Sequence, residues 1–365
     1  MRRRHRFGLP LLGLLSMPFA LAGLASGAGA RYLVIVSGIG GEEEYRQRFY
    51  DWSISMREAA RTRLGLPEDH IWYLSEKPEQ DPKRIRAKST KENVTTAFGE
   101  LAEAVQPGDQ LFVLLVGHGS HRSGDSRFNL PGPDITAVEF AQILERFAQQ
   151  EVVFVNTSSA SGDFVPVLSG KNRIVVTATK TGLERNETVF GKYFVQAYAE
   201  DGADADKNGR VSVLEAFEYA RTEVARSYEE DNRLLTEHAV LDDNGDGVGA
   251  QRFESEPRAS AGAGRGGGAA EVAEGRLAGV SFLGGAGLGG ARAATMGPAA
   301  DQDPEVAALH GEMQALEGQI QALKGQKETM PSDLYLKELE KLLLELARKN
   351  RAMGALKRQE SQRRQ

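Results

Sequence analysis

Four short stretches of this chain are apolar at almost every position, and they constrain the fold more than any other feature. They are Tyr32-Leu33-Val34-Ile35-Val36, Leu111 to Val116, Val152-Val153-Phe154-Val155 and Ile174-Val175-Val176. None of them alternates polar with apolar residues. A strand reads this way when both of its faces are buried, as in a parallel sheet covered by helices. Helical sequence lies between them, over Glu43 to Leu64, Thr90 to Val105 and Ile135 to Gln149, with Asn93 expected to cap the second. Ile71 to Leu74 adds a short strand, and Glu187 to Tyr198 and Val213 to Tyr228 add two helices. The alternation predicts βαβ units over residues 31–256, an α/β domain with a mostly parallel sheet and helices on both faces.

The two ends read differently. Arg2, Arg3, Arg4 and Arg6 precede a short apolar run broken by Pro10 and Pro18, and small residues end in Ala28-Gly29-Ala30. This describes a secretory signal peptide over residues 1–30, so the expectation is an exported protein, periplasmic or extracellular, with no stable membrane span after cleavage. Residues 257–303 are rich in Gly and Ala and predict a flexible linker. Leu309, Met313, Leu316, Ile320 and Leu323 then form a heptad seam. After Met330-Pro331, Leu339, Leu342, Leu346 and Met353 continue a second amphipathic helix. Residues 304–365 are therefore expected to form a helical hairpin or coiled coil, with self-association through 304–356.

Net charge is −6, and removing a leader with four Arg and no acid takes it to −10. That balance argues against nucleic acid as a partner. The chain has no cysteine. Disulfides, thiolate metal sites and thiol nucleophiles are excluded.

In parallel sheets, chemistry collects at the carboxyl ends of strands. Gly38-Ile39-Gly40 lacks the third glycine of a dinucleotide loop, and Glu43-Glu44 would repel a pyrophosphate. Gly117-His118-Gly119-Ser120-His121 is more telling. A His between two glycines at a strand mouth offers a base near neutral pH with approachable backbone. One βα unit later, the strand at Val152 runs into Asn156-Thr157-Ser158-Ser159-Ala160-Ser161-Gly162, a row of small and hydroxyl residues.

This pair of motifs resembles the caspase-like fold of the legumain-type cysteine peptidases over roughly residues 31–200. In that family a His-Gly-Ser motif carries the catalytic His, and a Glu-Ala-Cys-x-Ser-Gly motif carries the nucleophile. The resemblance puts His118 at the base, the Gly119 backbone N–H at the oxyanion, and Ser159 where the family has Cys. Thr157 stands in the place of the family's Glu. Arg46 lies near the family's substrate-binding arginine, on a match too loose to transfer the role. A hydroxyl is far less acidic than a thiol and needs a His held by a carboxylate; Asp125 and Asp163 are the candidates. The expectation is a catalytically inactive peptidase-like domain that binds peptide or protein. The alternatives are a hydrolase using Ser159 with His118, and a structural envelope-assembly module acting through the C-terminal helices.

A separate motif points to a metal. Asp204-Ala205-Asp206-Lys207-Asn208-Gly209-Arg210-Val211-Ser212-Val213-Leu214-Glu215 fits the EF-hand loop at every specified position. Asp204, Asp206 and Asn208 supply side-chain oxygens, Arg210 a backbone carbonyl, Ser212 a direct or water-mediated contact and Glu215 a bidentate carboxylate. Calcium is the expected ion. Asp242-Asp243-Asn244-Gly245-Asp246-Gly247 begins in the same way, but its twelfth position is Phe253.

Overall fold

The computed structural model describes residues 29–251, 253 and 274–284, with scattered positions between 316 and 349. The expected signal peptide, apart from residues 29 and 30, lies outside the described residues. No helix among the described residues is long and apolar enough to cross a membrane.

The apolar runs form the sheet. Strands β1 (Arg31–Ser37), β2 (Ile71–Ser75), β3 (Ala87–Lys88), β4 (Gln110–Val116), β8 (Glu151–Asn156), β9 (Arg173–Thr177) and β10 (Val240–Asp242) are ordered β10-β9-β8-β4-β1-β2-β3. Every neighbouring pair is parallel except β9 with β10. Each interior strand sends alternate residues to two cores. Leu33 and Ile35 of β1 pack on one side with Phe49, Phe190 and Phe217, while Val34 and Val36 pack on the other with Phe98 and Phe140. The first core lies under α1 (Glu43–Thr62), α5 (Phe190–Ala199) and α6 (Val213–Glu230). The second lies under α2 (Lys91–Ala104), α3 (Ala137–Leu144) and α4 (Phe164–Leu168). This is the mostly parallel, doubly covered α/β architecture that the continuous runs imply.

Three local expectations are corrected. Thr90, not Asn93, caps α2: the Thr90 side chain accepts from the Asn93 backbone N–H. A hydroxyl just before the first turn reaches that orphan donor better than an amide already inside the helix. Residues 135–149 are not one helix. Ile135–Thr136 form β7, which with β5 (Gly119–Arg122) and β6 (Asp125–Phe128) makes a small antiparallel sheet, order β5-β6-β7. Thr136 then starts α3 with a capping box to Glu139, which overrides the apolar periodicity upstream. The linker expected over 257–303 is corrected at 274–284, where Ala278 and Leu283 are fully buried. Asp243 accepts hydrogen bonds from Gly275 N and Ala278 N, both at 2.7 Å, so a carboxylate anchors a stretch whose composition reads as featureless.

The chain divides into two units, residues 1–295 and 296–365. In the second, Leu316 and Leu323 are buried, and Leu339 and Leu342 pack against Leu316. The other seam positions, Leu309, Met313, Ile320, Leu346 and Met353, lie outside the described residues.

Candidate functional site

The strand order places the site. From β1 the chain moves outward to β2 and β3, then returns to the other side of β1 and proceeds through β4, β8 and β9. The direction reverses between β1 and β4, and ligand crevices in open parallel sheets form outside such a switch. Gly38 follows β1 and Gly117 follows β4, and Gly38 N donates to the Val116 carbonyl at 2.9 Å. The Gly40 N–H is held by Glu76 Oε2 at 3.0 Å, so an acidic side chain occupies the donor a phosphate would need.

His118 sits at this switch. Its ring meets Tyr45 and Phe49 of α1 edge-on, with centroids 4.7 and 5.0 Å apart. Burial in this aromatic wall pushes its pKa below the ordinary histidine value, while Glu187 and the Gly40 backbone pull more weakly the other way. Glu187 is held by Tyr45, whose hydroxyl donates at 3.0 Å, and by an ion pair with Arg48. Tyr45, Phe49 and Glu187 were not singled out from sequence. The first two are four residues apart on one helix face, which was readable as a pair; Glu187 carries no motif.

The hydroxyl run after β8 is bound up internally. Thr157 Oγ1 donates to the Leu115 carbonyl at 2.8 Å, and Ser158 Oγ to Asn156 Oδ1 at 2.7 Å. Ser161 N and Gly162 N both donate to Thr179 Oγ1, at 2.8 and 3.0 Å. Ala160 adopts φ 53°, a sharp left-handed turn that pushes the preceding residue to the tip, and its N–H donates to the Glu184 carbonyl at 2.7 Å. At that tip, Ser159 Oγ donates to the Gly119 carbonyl at 3.1 Å and lies 3.4 Å from the Gly119 N–H. Among the described residues no hydrogen bond joins Ser159 to His118. Gly119 must be glycine here: a Cβ would collide with the Ser159 carbonyl and Ser158 Oγ. The structure therefore brings the Gly119 backbone and Ser159 together, as the motif pair implies.

The carboxylate candidates go elsewhere. Asp163 Oδ2 lies 3.0 Å from His121 Nδ1 and accepts from Ser126 Oγ at 2.9 Å, so it serves the second histidine, not His118. Its other oxygen accepts from Gly182 N at 3.0 Å. Asp125 is exposed and faces Arg127 at 3.8 Å. Arg46 turns back on its own loop, 3.4 Å from Glu43, and donates to the Gly41 carbonyl at 3.2 Å.

The acidic loop lies between α5 and α6. Asp204, Asp206 and Glu215 each offer a carboxylate oxygen, and these lie within 4.8 Å of one another. Backbone donors hold the carboxylates: Asn208 N to Asp204 Oδ1 at 3.1 Å, Gly209 N to Asp204 Oδ2 at 2.9 Å, and Ala205 N to Glu215 Oε1 at 3.0 Å. Gly209 has φ 83°, the turn that position requires. Ser212 caps α6 and forms a capping box with Glu215, so the helix start fixes the closing carboxylate. Arg210 lies with its guanidinium over the Phe282 ring, at 3.7 Å, and its backbone N–H donates to Asn208 Oδ1 at 2.9 Å. The donor set is all oxygen, which suits a hard divalent cation.

In comparison with known proteins, the family model described as the Peptidase C13 family matches residues 90–238. That span takes in the His118 turn, the Ser159 turn and the whole acidic loop. No curated protein matches the chain.

Proposed function

We propose, from the match of the Peptidase C13 family model to residues 90–238, that the chain is an exported, catalytically silent peptidase-like domain that binds peptide or protein and carries calcium on its 204–215 loop. One observation carries the loss of catalysis. The residue at the nucleophile position is Ser159, and its hydroxyl donates to the Gly119 carbonyl instead of His118.

The physical reason runs from the base outward. A serine becomes a nucleophile only when a base takes its proton as the bond to carbon forms. His118 has no hydrogen bond to that proton and no carboxylate hydrogen-bonded to its own ring among the described residues. The acid whose charge acts on it, Glu187, is already paired with Arg48 and bonded by Tyr45. Burial favours the neutral imidazole and so opposes the imidazolium that proton transfer would create. What remains beside His118 is a frame suited to an extended ligand: the aromatic wall of Tyr45 and Phe49, and the Arg48–Glu187 pair.

Calcium at Asp204, Asp206, Asn208, Arg210, Ser212 and Glu215 would stiffen the connection into α6, whose Phe217 is part of the core under the sheet. The chemistry it supplies is structural, since the loop belongs to the far end of α5. Export rests on the basic and apolar leader, and outside the cell calcium is plentiful.

The test is incubation of the full chain with a random peptide library in calcium buffer, followed by mass spectrometry of both fractions. The reading expects peptides retained on the protein and none cut. New peptide termini that appear with the wild type and vanish with His118→Ala would overturn it.

A further inference from the structure

The stretch Asp242 to Gly247 begins like the 204–215 loop but lacks its closing acid, because position twelve is Phe253. The fold supplies an acid from downstream. Asp242, Asp246 and Glu274 each offer a carboxylate oxygen, and these oxygens lie within 4.8 Å of one another. Asp242 is only 1% exposed, and its Oδ2 is buried with no hydrogen-bond partner. Glu274 Oε1 is buried without a partner as well. Among the described residues no Lys or Arg forms an ion pair with any of the three. A buried carboxylate oxygen left without a donor is expensive, and three carboxylates gathered this closely add mutual repulsion. Buried charges of this kind are paired or coordinate metals.

We propose that Asp242, Asp246 and Glu274 form a second divalent-cation site, of the calcium class, which the chain closes with a glutamate from the 274–284 segment instead of from the loop itself. The local geometry is built around that closure. Asp243, between the first two ligands, holds the turn of the segment through Gly275 N and Ala278 N at 2.7 Å each. The Asp243 N–H donates to Glu274 Oε2 at 3.0 Å, which leaves Oε1 for the ion. Gly245 and Gly247, at φ 83° and 76°, fold the loop back so that Asp246 faces Asp242. Oxygen-only ligands from an irregular loop and a distant residue suit calcium, whose coordination is flexible, better than magnesium with its strict octahedron.

The same segment continues to the exit of the first loop. Val213 N donates to the Ser281 carbonyl at 2.9 Å, Leu214 N to the Ala278 carbonyl at 3.1 Å, and Ser212 and Phe282 form an antiparallel bridge. A cation at the second site therefore pins the 274–284 segment against the first loop and the N-terminus of α6.

The test is calcium stoichiometry of the full chain by native mass spectrometry and calorimetry after chelator treatment. Wild type is compared with Glu274→Gln, with the exposed Asp246→Asn, and with Glu215→Gln. Circular dichroism confirms that each variant is folded. The expected result is two ions in wild type, with one site weakened 100-fold or more in each variant, and calcium-slowed amide exchange at Gly275 and Ala278 that Glu274→Gln removes. A single ion lost with Glu274→Gln and Asp246→Asn but kept in Glu215→Gln would uphold this site and refute the first loop. A single ion lost only with Glu215→Gln would refute this site and uphold the first loop. No bound ion in wild type would refute both.

Discussion

The Ser159 turn after β8 and the Asp242–Glu274 corner after β10 both gather polar side chains beside the same sheet, yet their polar atoms are treated in opposite ways. At the turn, the side chains of Thr157, Ser158, Ser159 and Ser161 all find partners within the protein. At the corner, Asp242 Oδ2 and Glu274 Oε1 are buried and find none. A hydroxyl already donating to a backbone carbonyl has little left for chemistry, whereas a buried carboxylate oxygen without a donor is poised for a ligand. The contrast teaches that a row of hydroxyls at a strand mouth can be a structural plug. An acidic run with an incomplete motif can be a site completed from elsewhere.

The sharpest way to break this comparison is to return a reactive atom to the turn. Ser159→Cys should react with a peptidyl haloketone at least about 100-fold faster than the same variant carrying His118→Ala, because a thiol needs far less help to ionise than a hydroxyl. Equal rates in the two proteins would mean that His118 no longer serves that position. Next in size is calcium. At a free concentration about 100 times the dissociation constant, each occupied site adds roughly 2.7 kcal/mol to unfolding stability, read from urea midpoints. Glu274→Gln and Glu215→Gln should each remove one such increment. Gly119→Ala should cost about 1–3 kcal/mol by forcing the strand from the Ser159 carbonyl, and leave calcium stoichiometry unchanged.

The smaller effects concern the histidine and the hydroxyl. Burial lowers the His118 pKa from 6.5, so the folded state prefers the neutral ring. Its contribution to stability is complete above the unfolded value and is lost as pH falls through 6.5 toward the lowered folded value. His118→Gln should flatten the stability profile over that window, as urea titrations at stepped pH would reveal. Ser159→Ala removes one hydrogen bond to a carbonyl and should cost about 1 kcal/mol or less. A much larger loss would show that the hydroxyl holds the turn as well as plugging it.

The strands were legible because burial on both faces leaves an unbroken apolar run, and Leu33 to Val36 could scarcely do anything else. The motif pair His118-Gly119 and Ser159 was legible too, because a turn beside a ligand demands small residues. What the sequence concealed depends on distance along the chain. Asp163 is two residues past Ser161, yet it serves His121, because the small β5–β7 sheet carries that histidine away from His118. Glu187 faces the His118 wall only because α5 starts where it does. Glu274 lies in Gly- and Ala-rich sequence with no periodicity, and nothing local marks it as the partner of Asp242, more than thirty residues earlier.

The central claim is that the nucleophile position holds an inert serine, and it is tested most directly by a fluorophosphonate probe on the wild-type chain in calcium buffer. The probe forms a covalent bond only with a hydroxyl whose proton a base removes. Peptide mapping by mass spectrometry then locates any adduct. The account predicts no adduct at Ser159 under conditions that label a serine hydrolase fully. An adduct at Ser159 that disappears in His118→Ala would contradict it.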